Sequence, residues 1–118
     1  MRDTKTFNYS VDLAPGAFSY YDFANVAEVD DLGDFTQKYV PFKNISIVNT
    51  GSETIRFYEN DARNFIVIPS GVIYELKNRD IYRMKFENVG AVNNAVFTFS
   101  INNEITTDER VEMLLKRY

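Results

Sequence analysis

Four carboxylates crowd seven residues of the sequence: Glu28, Asp30, Asp31 and Asp34. Carboxylate oxygens are what a hard cation such as Ca²⁺ takes as ligands. The spacing departs from the EF-hand loop, whose acids stand at alternate positions around a central glycine. The other reading is a solvated acidic loop, because neighbouring carboxylates repel one another and draw in water. A pair of carboxylates also suffices for glycoside hydrolysis, which needs no histidine. Nothing singles out two of the 17 acids for that work, and a small domain leaves little room for a substrate cleft. The other common tools are missing: the 118 residues hold no His and no Cys. That removes the usual neutral-pH base, the thiolate nucleophile, the disulfide and the commonest metal ligands. No metal site and no cofactor is expected, and the chain reads as a non-enzyme.

What remains for function is surface. Phe18, Tyr20, Tyr21 and Phe23 form an aromatic run. One arrangement puts Phe18 and Tyr20 in the core and leaves Tyr21 and Phe23 on the other face. Exposed aromatics there suit sugar stacking or a protein interface, and the plain alternative is an irregular strand at the edge of the core. Lys77, Arg79, Arg83 and Lys85 are the one basic concentration. If Tyr82, Met84 and Phe86 point inward, Arg83 and Lys85 share the outward face. They either dock an acidic partner or keep an exposed strand soluble.

The elements that would position these residues are mostly strands. Ten Phe and eight Tyr with no Trp fit the half-buried pleat of a sheet. Over Thr6–Leu13, Phe7, Tyr9, Val11 and Leu13 alternate with polar residues, the pattern of a strand with one dry face. Further strands are expected around Phe35–Phe42, Ile45–Asn49, Thr54–Glu59, Phe65–Ile68, Val72–Leu76, Tyr82–Phe86 and Ala95–Ile101. Asn49-Thr50-Gly51 and Asn88-Val89-Gly90 echo one another, and each reads as a hairpin turn between strands. The fold expected is all-β: an antiparallel β-sandwich, Greek-key or jelly-roll-like, of roughly eight strands. Phe7, Tyr9, Val11, Ile47, Phe57, Val67, Tyr82, Met84, Phe86, Phe97 and Phe99 are its expected core.

The period changes at the end of the chain. Thr106-Thr107-Asp108-Glu109 has the form of a capping box. Val111, Leu114, Leu115 and Tyr118 then fall on one helical face. So short a helix is marginal alone, and it either contacts a partner or caps its own domain. One domain, 1–118, is expected, with residues 106–118 as that helix.

Charge and targeting narrow the partners. The formal net charge is −4, so the positive footprint of a nucleic-acid binder is missing. No apolar run reaches membrane-span length, and the start MRDTKTFNYS lacks the apolar core of a signal peptide. Neither nucleic acid nor membrane is an expected partner.

The run Ile45–Ile101, with its Asn49-Thr50-Gly51 and Asn88-Val89-Gly90 turns and its Ile68-Pro69-Ser70-Gly71 corner, resembles small β-sandwich modules of phage and virus structural proteins. These include capsid decoration and vertex proteins. The resemblance implies a non-enzymatic virion structural protein, a capsid-associated component that acts through protein–protein contacts as an oligomer. Val111, Leu114, Leu115, Tyr118, Tyr20, Tyr21, Arg83 and Lys85 are the candidate contacts. It implies assembly in a host cytoplasm and location in the virion. The alternative is a carbohydrate- or ligand-binding β-sandwich that uses Tyr20, Tyr21 and the acidic segment.

Overall fold

The computed structural model describes residues 5–24 and 39–104. Eight strands run along them: β1 Thr6–Leu13, β2 Phe18–Asp22, β3 Asn44–Val48, β4 Ile55–Glu59, β5 Ile66–Ile68, β6 Ile73–Leu76, β7 Arg83–Asn88 and β8 Ala95–Asn102. The protein is all-β, two antiparallel four-stranded sheets ordered β1-β8-β3-β6 and β2-β7-β4-β5. The acidic segment 28–34 and the C-terminal segment 106–118 lie outside the described residues. Of Phe35–Phe42 only the last residues are described, and they form no strand; Phe42 makes an isolated bridge to Ile81.

The winding follows one rule. β1 pairs with β8, β2 with β7, β3 with β6 and β4 with β5, all antiparallel. That is one long hairpin rolled over itself, the jelly-roll-like order. The roll is closed by the β3–β8 and β4–β7 ladders. Among consecutive strands of the described residues, only β4 and β5 lie in the same sheet.

Two expectations about turns are corrected by that order. Asn49-Thr50-Gly51 and Asn88-Val89-Gly90 do not close hairpins. Each carries the chain from one sheet to the other, since β3 and β4 lie in different sheets, as do β7 and β8.

The core fills the space between the sheets with side chains from alternate positions. β1 shows the exposed-buried alternation along its whole length, and β8 does so over most of its length. Aromatic rings dominate the centre. Phe86 lies 4.7 Å from Phe97, 5.0 Å from Phe99 and 5.3 Å from Phe57, centroid to centroid, and Tyr9 stacks on Phe99 at 4.8 Å. Tilted and edge-on ring pairs of this kind add to the gain from burial itself. Phe7, Tyr9, Val11, Ile47, Phe57, Met84, Phe86, Phe97 and Phe99 are buried as the alternation requires.

Val67 and Tyr82 are not core residues. Val67 sits between inward-turned Ile66 and Ile68 and is exposed; Tyr82 precedes β7 and is also exposed. The aromatic run faces opposite to expectation. Phe18 and Tyr20 lie outside, while Phe23 is buried and Tyr21 packs against the core. The β2–β7 register explains the inversion: Tyr21 is opposite inward Met84, and Tyr20 is opposite outward Lys85.

Candidate functional site

Four sheet-to-sheet connections meet at one end of the sandwich: residues 14–17, 49–54, 69–72 and 89–94. Two buried asparagines organise them, Asn49 (1% exposed) and Asn88 (0%). The Asn88 amide donates to the carbonyls of Leu13 and Asn93, both at 3.0 Å, and its Oδ1 accepts from the Gly90 amide at 2.8 Å. Asn49 repeats the pattern. Its amide donates to the carbonyls of Glu53 (2.8 Å) and Ile68 (3.1 Å), and its Oδ1 accepts from Gly51 N at 3.3 Å. The sequence echo is therefore a structural equivalence. In each copy one amide group holds its own turn and reaches the end of a neighbouring strand. A short polar side chain that bonds its local backbone is what lets Asn do this.

The connections also bond to one another. Gly16 N donates to Asn88 O and Asn88 N to Ala17 O; Asn49 N donates to Val72 O and Gly71 N to Asn49 O. Gly51 N donates to Val96 O at 2.8 Å, so close that a Cβ on residue 51 would lie 2.8 Å from Val96 N. A Cβ on Gly90 would run into the Glu53 carboxylate, whose Oε1 accepts from Asn93 Nδ2. Four loops tied in this way present a fixed surface.

That surface is poor in charge and rich in exposed apolar groups. Glu53 is the only charged residue in the four connections. At the opposite end the described connections 60–65 and 77–82 carry Asp61, Arg63, Lys77, Arg79 and Asp80. Phe18 (63% exposed), Ile73 (65%), Val92 (82%), Val67, Val89 and Val96 all lie in the charge-poor connections or within two strand positions of them. The remaining large exposed hydrophobics among the described residues, Tyr20, Phe65 and Tyr82, lie away from that end.

The candidate contacts near the aromatic run come together only in part. Tyr20, Arg83 and Lys85 share the outer face of β2-β7-β4-β5, where Tyr20 is paired with Lys85 across the ladder. Tyr21 is half-buried and packs against the core, on the face of β2 opposite to Tyr20. Lys77, Arg79, Arg83 and Lys85 do not form one patch. Arg79 makes a two-pronged pair with Glu59 (2.7 and 2.6 Å), and Lys77 lies by Asn44 and Glu75 on the other sheet. The Glu59 bond, and then its charge, holds the Arg79 pKa above its ordinary value. Arg83 lies 3.4 Å from Asp22 and 3.7 Å from Asp61. Tyr20 donates to Asp61 at 3.3 Å, and its phenol is pushed above its usual pKa, first by partial burial and then by the Asp61 and Asp22 carboxylates.

Val111, Leu114, Leu115 and Tyr118 lie outside the described residues. Among the described residues no group of three or more Asp or Glu side chains is placed to hold a metal ion, and no helix is long and apolar enough to cross a membrane. The charge-poor end was missed in the sequence. Its signal was the near-absence of charge from AlaProGlyAla, ProSerGlyVal and ValGlyAlaValAsnAsn, three turns of a chain that is 25% charged.

No protein-family model matches the sequence, and neither does any curated protein. One solved structure, from work describing Bacillus endospore appendages as a novel family of disulfide-linked pili, is similar with a TM-score of 0.46 and 13% sequence identity. The match covers 90% of this chain and 92% of that one. The present sequence holds no cysteine and so has no disulfide chemistry of its own.

Proposed function

We propose that this chain is a non-enzymatic building block that assembles through protein–protein contacts, with the charge-poor loop end as its contact surface to a neighbouring copy. The observation that carries this reading is the collection of Phe18, Ile73, Val89, Val92 and Val96 around four mutually bonded loops with a single charge. Interface cores are depleted in charge, and a preorganised surface loses little entropy on binding. Exposed apolar side chains gathered at one charge-poor end of a small domain are what a docking surface offers.

The finer placement, as a capsid-associated protein of a virion, belongs to the same proposal and takes its support from the strand order alone. Mass spectrometry that finds the chain in purified particles supports that placement, and its absence from them removes it.

Sedimentation velocity across a concentration series tests the assembly itself. The parent protein should gain mass with concentration. Val92→Asp should shift that curve at least about tenfold in concentration, since burying an unpaired carboxylate costs more than about 1.4 kcal/mol. The melting temperature should not move, because Val92 is 82% exposed. A parent protein that stays monomeric, or a variant that assembles as the parent does, contradicts the reading.

A further inference from the structure

The far side of the second sheet holds a hollow of ≈ 360 Å³ between Tyr20, Tyr58, Asn60, Asp61, Arg63 and Lys85. Its cations differ from those around it. Arg56 pairs with Glu87 at 3.6 Å, Arg79 with Glu59 at 2.6 Å, and Arg83 with both Asp22 and Asp61. Arg63 and Lys85 have no carboxylate partner among the described residues. The Lys85 ammonium instead stands 4.2 Å from the Tyr58 ring centre and 5.6 Å from that of Phe18. Two positive charges without carboxylate partners thus border one hollow.

The wall that carries Arg63 is built in place. Asn60 takes a left-handed backbone (φ 52), and its N–H donates to Arg83 O at 2.7 Å. Its side chain donates to Asp80 O at 2.9 Å and accepts from Tyr82 N (2.8 Å) and Arg83 N (3.2 Å). These bonds fix the start of the loop 60–65 on β7. On the opposite wall the Tyr20 ring is 47% exposed, with its hydroxyl oriented by Asp61.

We propose that this hollow binds an acidic carbohydrate, a sugar ring that carries a carboxylate. The apolar C–H face of the ring stacks on Tyr20, as ligands with one apolar side do on exposed aromatics. The carboxylate meets Arg63 and Lys85 in charge-assisted hydrogen bonds. Ring hydroxyls donate to Asp61, the one carboxylate among the described residues that lines the hollow. The volume falls at the low end of the range of about 300–1,000 Å³ typical of small-molecule sites, enough for one or two sugar rings. Because the hollow lies on a sheet face towards the end opposite the charge-poor loops, it is free to act whether or not those loops assemble.

Calorimetric titration of the full chain tests this with three probes: trigalacturonate, its methyl ester, and triglutamate. Trigalacturonate should bind, and the ester, which keeps the rings and loses the charge, should bind at least about tenfold more weakly. Tyr20→Ala and Arg63→Gln should each weaken trigalacturonate binding by about tenfold, with the melting temperature held, because both side chains lie outside the core. No binding of trigalacturonate overturns the proposal. So does equal binding of the ester, and so does triglutamate binding as well as trigalacturonate, which would make the hollow a peptide site.

Discussion

Replacing Asn88 by Ala removes a side chain that serves three backbone groups at once. The Leu13 carbonyl is bonded in a buried setting, and the Asn93 carbonyl and Gly90 amide are partly buried. A buried polar group left without a partner costs about 1–3 kcal/mol, and a group that water can reach costs less. The sum is about 2–4 kcal/mol, a large share of the roughly 5–15 kcal/mol by which a domain is stable. Asn93→Ala is the internal control. It removes only an exposed amide–carboxylate bond to Glu53 (3.0 Å), worth less than about 1 kcal/mol. Asn49→Ala should match Asn88→Ala within about 1 kcal/mol, because the two side chains make the same set of bonds. Urea unfolding followed by circular dichroism measures all three, with equal m-values as the check that only stability has changed. If Asn88→Ala costs no more than Asn93→Ala, the two buried asparagines are not what ties the loop end together.

Two further outcomes follow from single atoms. Gly51→Ala sets a methyl group 2.8 Å from Val96 N and 2.9 Å from Val96 O, and backbone atoms of a paired strand cannot step aside. It should destabilise the fold by about 1–3 kcal/mol in the same urea assay, and a neutral result would mean that the 49–54 connection is free to shift. The Tyr20 phenol is held above 10.0 by burial and by neighbouring carboxylates, so the folded state keeps this proton more firmly than the unfolded chain does. Its contribution to stability is complete below about pH 10 and is lost as pH climbs through the folded pKa. Tyr20→Phe should remove a phenolate absorbance transition centred above 10, and a missing transition centred at or below 10 contradicts the placement.

How much of this was legible in the sequence varied with how polar and apolar residues were interleaved. β1 was readable to the residue because Asn8, Ser10 and Asp12 separate its apolar side chains. β2 was not, since Phe18, Tyr20, Tyr21 and Phe23 put aromatics on both faces and leave no period to read. Ile66-Val67-Ile68 failed for the same reason: three β-branched apolar residues in a row do not say which one turns outward. The turn chemistry of Asn49 and Asn88 was visible, but its consequence was not. An Asn-x-Gly turn fixes the local bend, whereas the sheet that the next strand joins depends on partners tens of residues away, such as Leu13 for Asn88. The basic cluster looked like one patch because Arg79, Arg83 and Lys85 are close in sequence. Carboxylates from elsewhere in the fold, Glu59 on β4, Asp22 on β2 and Asp61 in the 60–65 connection, pair with Arg79 and Arg83 and divide the cluster. The loop end is invisible to period analysis altogether, since its residues come from four connections and share only a lack of charge.

The absence of cysteine opens a direct test of the contact surface. A single thiol placed by Val92→Cys at the loop end, and another by Thr98→Cys on an exposed strand position, can each be labelled with a maleimide across a range of protein concentrations. If copies meet through the loop end, labelling of the Val92→Cys thiol should slow at least about tenfold from dilute to concentrated protein, while the Thr98→Cys thiol reacts at one rate throughout. A Val92→Cys thiol that reacts equally fast at every concentration would contradict the account.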